Sequence, residues 1–65
     1  MTSTELRATI VERDRLSREL RVCDAAIDNA MWMRDAAVYR EWVRRREAAW
    51  VRVQELNVQQ AALAR

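Results

Sequence analysis

Not one glycine or proline occurs in the 65 residues of this chain. Those two residues supply most of the punctuation of tight turns, hairpins and helix ends. Ala, Arg, Glu, Leu and Gln, all strong helix formers, make up about half of the sequence. A chain so composed has one regular structure open to it, and we read it as all-α. The only period-two apolar stretch, Trp50-Val51-Arg52-Val53, sits inside a longer helical pattern. Disorder is opposed by Trp32, Tyr39, Trp42 and Trp50 and by a hydrophobic share of 51%.

The length allows a single domain, residues 1–65, whose own core supplies no more than about 3–5 kcal/mol, so an external staple is expected. Cys23 is the only cysteine and there is no histidine, which excludes an internal disulfide and the usual zinc sites. Among Ala, Val and Ile neighbours Cys23 reads as a small buried hydrophobe rather than a reactive thiol. No cofactor is expected. A partner chain is the remaining means of stabilisation. The opening residues Met1-Thr2-Ser3-Thr4-Glu5 lack the basic and apolar regions of a signal peptide, and runs such as Ala30-Met31-Trp32-Met33 are far too short to span a bilayer. The expectation is a cytoplasmic protein without a membrane partner.

Thr2-Ser3-Thr4-Glu5 fits a capping box with Thr2 as N-cap, and Met1 is placed to staple against Leu6, so a first helix is expected over about residues 3–28. Leu6, Ile10, Leu16, Leu20, Cys23, Ile27 and Met31 fall within an arc of about 140°. Arg13, Ser17 and Asp24 share that arc and dilute it. Beyond residue 31 the apolar arc widens to roughly 180°. On an uninterrupted helix Trp32, Tyr39, Val43 and Trp50 lie within about 40° of one another, because 18 residues make five turns. Val38, Trp42, Ala49, Val53, Leu56 and Leu63 occupy the next sector.

Two architectures meet this pattern. In the first, the chain breaks within 28–35, at Asp28-Asn29 with Asn as a left-handed C-cap or at Asp35 as the N-cap of a second helix over about 35–63. The product is a two-helix antiparallel hairpin that self-associates as a helical bundle, most simply a dimer of four helices. The alternative is one long continuous helix in a coiled coil, supported by an 11-residue apolar period from Leu16 to Ala64. The heptad Leu6, Arg13, Leu20, Ile27 projects onto Arg34, Glu41, Ala48 and Glu55, which excludes a continuous left-handed coil. The hairpin is preferred, since short connections join antiparallel helices and the two halves are similar in length. A bundle of two hairpins resembles the small RNA-binding plasmid copy-number regulators in size and architecture. No motif of theirs is matched, so no residue role carries over.

Catalysis is not expected, because no histidine, Gly-rich loop or metal-ligand cluster is present and Asp24 with Asp28 is the only close carboxylate pair away from Arg. All twelve basic residues are Arg, which together with the abundant Ala fits a GC-rich genome. Candidate nucleic-acid contacts are Arg40, Arg44, Arg45, Arg46 and Arg52, but Glu41, Glu47 and Glu55 are interleaved with them and the net charge is only +2. The stronger expectation is a non-enzymatic oligomerisation and protein-interaction module, serving as a small structural, assembly or regulatory accessory protein. A phage-encoded virion or host-directed component is one form of it, within a larger protein assembly. Its candidate interface residues are Leu16, Leu20, Ile27, Met31, Trp32, Tyr39, Trp42, Val43, Trp50, Val53 and Leu56, of the types enriched at interface hot spots or cores.

Overall fold

The chain reverses at two residues, Arg34 and Asp35. In the computed structural model, which describes residues 3–65, they separate helix α1 (Ser3–Met33) from helix α2 (Ala36–Leu63). Met1 and Thr2, with the expected cap and staple, lie outside the described residues. The hairpin is therefore the observed architecture and the continuous rod is not.

With no glycine available, each half of the turn is made by a side chain or a strained backbone. Arg34 takes the left-handed conformation, φ 55°, at the position after the helix where glycine is usual. The Asp35 N–H donates to the Ala30 carbonyl at 3.0 Å and the Arg34 N–H to the Met31 carbonyl at 3.2 Å, the paired bonds of a Schellman ending. Asp35 then starts α2. Its backbone is extended, its Oδ1 accepts from the Val38 N–H at 3.1 Å, and its carbonyl accepts from the Tyr39 N–H at 2.9 Å. The reading of Asp35 as N-cap holds, whereas Asn29 is not a cap. Helix α1 continues five residues past the expected end near 28, because ending at Met33 brings Ala30 into the contact with α2 and lets Asp35 serve both helix ends.

The packing seam differs from the stripe read off the sequence. On α1 it runs Leu6, Thr9, Arg13, Leu16, Leu20, Cys23, Ile27, Ala30, in steps of three and four. Thr9, Leu16, Cys23 and Ala30 are buried and the others half-buried. On α2 the same alternation gives Trp42, Arg46, Ala49, Val53, Leu56, Gln60 and Leu63, with Ala49, Val53 and Leu56 buried. This is heptad spacing in each helix separately. The two seams are out of phase along the chain, which is why a heptad carried through the turn fails. Leu16, Ala49, Val53 and Leu56 form the central cluster, with Leu20 against it. The buried Ala30 and Ala49 let the backbones approach closely. Thr9 needs no polar partner from α2, since its hydroxyl donates to the Glu5 carbonyl at 2.9 Å.

Leu56 is 1% exposed, so Leu56→Ala should lower stability by about 2–5 kcal/mol in urea denaturation. Val58→Ala, at a side chain 73% exposed, should stay within about 0.5 kcal/mol. The turn makes an opposite pair. Relieving the left-handed strain with Arg34→Gly should raise stability by about 1 kcal/mol, and removing the cap with Asp35→Ala should lower it by a similar amount, about 1 kcal/mol. Thermal melts followed by circular dichroism check both signs.

Candidate interaction surface

Polar residues that dilute the apolar stripe turn out to bridge the helices. Arg13 Nη1 donates to Gln60 Oε1 at 2.5 Å and to Asn57 Oδ1 at 3.5 Å. Arg46 Nε donates to Asp24 Oδ1 at 2.6 Å. Arg52 grips Glu12 with two parallel bonds, Nε to Oε1 at 3.1 Å and Nη2 to Oε2 at 3.3 Å, and also reaches Glu55 at 3.0 Å. Ser17 donates back to the Arg13 carbonyl at 2.9 Å. The Arg46–Asp24 and Arg52–Glu12 ion pairs are solvent-exposed, and each contributes only about 0.2–1 kcal/mol. Their effect is on register, because an Arg fork meets one carboxylate in one geometry. The two carboxylates around Arg52 hold its guanidinium pKa above the usual value, chiefly through the hydrogen bonds that Arg52 donates to Glu12.

The bridges also define two unlike faces. Glu12 and Arg52, with Glu19 and Arg45, lie along one side of the seam, where Arg45 pairs with Glu41 at 3.6 Å and stacks over the Trp42 ring at 4.8 Å. Asp24 with Arg46 and Arg13 with Asn57 mark the other. On that second side Ile10, Ser17, Asp24 and Met31 recur at seven-residue spacing on α1, and Tyr39, Val43 and Trp50 follow on α2. Tyr39 and Trp50 are large aromatics left exposed, Trp50 by half. A shallow cleft of about 330 Å³ opens at the turn between Met31, Tyr39, Ala36 and Arg34.

The candidate interface residues thus divide. Leu16, Val53 and Leu56 are buried in the seam, and Leu20, Ile27 and Trp42 are half-buried along it, so their main contacts are within the hairpin. Met31, Tyr39, Val43 and Trp50 belong to the aromatic face. Trp32 does not join them: the expected Trp32–Trp50 stripe presumes an unbroken helix, and the turn intervenes. Trp32 stands at the tip, 88% exposed, between the exposed Met31 and Met33. Of the five candidate nucleic-acid contacts, Arg45, Arg46 and Arg52 are engaged in the pairs above. Arg40 and Arg44 are exposed and make no ion pair among the described residues.

Sequence reasoning missed Thr9, Ala30 and Arg13 as seam residues. The signal was present as a second heptad, Thr9, Leu16, Cys23, Ala30, interleaved with the first, but two of its members are small and one is polar. No helix among the described residues is long and apolar enough to cross a membrane. No family model, no curated protein and no solved structure matches the chain.

Cys23 is fully buried, and that desolvation, followed by the charge of Glu19, pushes its thiol pKa up against the weaker pull of Arg45. A folded pKa above the unfolded one means that the thiol's contribution to stability is complete below the unfolded pKa and is lost as pH rises through the folded one. Labelling by an aromatic disulfide reagent at pH 8 should therefore be slow in the native protein and fast in urea. Stability should decline as the pH climbs from 8 to 10, and Cys23→Ala should flatten that decline.

Proposed function

We propose that this chain is a non-enzymatic helical interaction module that self-associates and acts through protein contacts. One observation carries the reading: a hairpin that buries a single narrow seam leaves Met31, Trp32, Met33, Tyr39 and Trp50 exposed along one face and the tip. Surface aromatics and methionines grouped in this way are the composition of contact surfaces. The small core supports the reading too. Its buried apolar members are Leu16, Cys23, Ala30, Ala49, Val53 and Leu56, and half of these are Ala or Cys. A two-helix unit with so little large buried side chain gains stability when a further helical layer covers it.

Nucleic-acid recognition draws less support, because three of the five candidate Arg side chains are already paired and the exposed face between them carries acids. Light scattering across a range of concentrations tests the proposal. The expected result is a dimer whose helical circular dichroism melts at a temperature that rises with concentration. A stable helical monomer at all concentrations would overturn self-association. Salt-sensitive binding to a mixed RNA pool, lost on joint Arg40→Ala and Arg44→Ala replacement, would favour the nucleic-acid reading instead.

A further inference from the structure

We infer that the occupant of the aromatic face is a second copy of this hairpin, docked antiparallel with Trp50 of each copy at the twofold axis. The inference rests on the self-association proposed above and assigns its surface and geometry. The chain exposes 5171 Å², whereas a compact monomer of its mass exposes ~4,300 Å². The difference, about 850 Å², matches the surface that one partner contributes to a standard interface, about 800 Å². A body of 48 × 14 × 11 Å reaches that excess because it is one helix pair thick. A second pair laid on its face removes it.

The choice of face follows from what each side can bring together. Across the charged side, Glu12 and Arg52 have satisfied one another, and Arg45 covers Trp42. The aromatic face carries the Arg46–Asp24 pair and, beside it, the exposed apolar groups of Met31, Tyr39 and Trp50. They are arranged symmetrically about its middle. Trp50 is one of the two central residues of α2 (Ala36–Leu63), and Tyr39 and Ala61 lie eleven residues to either side of it. Eleven residues make about three helical turns, so at about 100° per residue the three lie within an arc of about 40°. A twofold axis through Trp50, in the plane of the contact and across the long axis, lays α2 on α2 and α1 on α1. It sets Trp50 on Trp50 of the second copy and Tyr39 over Ala61.

The same axis acts on α1, where Met31 at the tip end meets Ile10 at the open end, apolar on apolar. It brings Asp28 level with Arg13 of the second copy, opposite in sign. A parallel arrangement does worse. It lays α1 on α2, setting Trp50 at the level of Ser17 and Asp24, whereas the antiparallel contact sets Trp50 on Trp50 and leaves Asp24, held by Arg46, at the level of Ser17 of the second copy. An isologous, antiparallel contact thus satisfies apolar burial and charge together.

Cysteine cross-linking with a mild oxidant and light scattering test the assignment. Trp50→Cys should form a disulfide-linked dimer. Trp32→Cys should not, because the tips point to opposite ends, and the wild type should not either, since Cys23 is buried. Trp50→Glu should weaken association at least tenfold while keeping the helical spectrum, as Trp50 lies outside the seam. Cross-linking through Trp32→Cys but not Trp50→Cys would overturn the antiparallel geometry. A Trp50→Glu variant that remains dimeric would overturn the face, and in both cases self-association stands. A monomeric wild type would overturn self-association itself, and this assignment with it.

Discussion

A helix in a two-helix hairpin has one neighbour, and that constraint governs the rest of the molecule. Only a narrow stripe on each helix is covered, so each helix leaves most of its surface to water or to another chain. Side chains on the stripe alternate by three and four because that spacing keeps them on the contact between two helices. Everything else about the surface, from the Arg bridges to the exposed aromatics, is a consequence of how little a single seam can hide. A wide apolar arc on α2 therefore cannot be satisfied internally. Its Trp42, Ala49, Val53, Leu56 sector is used, and its Tyr39, Val43, Trp50 sector is left at the edge.

The turn shows how a chain without glycine reverses direction in two residues. Arg34 bears the left-handed strain, and Asp35 closes one helix with its N–H and opens the next with its carboxylate. Strain and cap are adjacent, so the reversal needs no loop. The arrangement also fixes register. With the turn this short, Asp24 is brought to Arg46, Glu12 to Arg52 and Arg13 to Asn57 and Gln60, and slipping either helix by one turn would unmake all three contacts at once. Several weak pairs thereby select one alignment, although their summed stabilisation is modest.

Arginine has a different place in this structure from the one its density along α2 implies. Arg44-Arg45-Arg46 looks like a basic run in one dimension, but the helix spreads consecutive residues around its axis. Arg45 turns to Glu41 and Trp42, Arg46 to Asp24, and Arg52 to Glu12 and Glu55. What reads along the chain as an anion-binding segment is, in three dimensions, largely the polar stitching of a hairpin. The aromatic residues separate in a similar way, with Trp42 on the seam, Trp50 on a face and Trp32 at the tip.

Much of the local structure was legible in the residues themselves. Helicity followed from composition, and Asp35 followed from its side-chain chemistry, since a carboxylate before Ala36-Ala37-Val38 accepts from free N–H groups wherever the helix lies. These depend on neighbours within a turn or two, and such interactions are written in the chain. The end of α1 was not legible, because Arg34 is a poor left-handed residue and only packing of Ala30 against α2 and the double use of Asp35 overcome its preference. Nor was the place of Thr9 and Arg13 on the seam, or the separation of Trp32 from Trp50. Each of those depends on which residues of the other helix stand opposite. The sequence by itself determined helicity and a short window, 28–35, in which a break could fall; the tertiary structure decided that the chain reverses there and which stripe is core and which is surface, because burial belongs to pairs of helices and not to either alone.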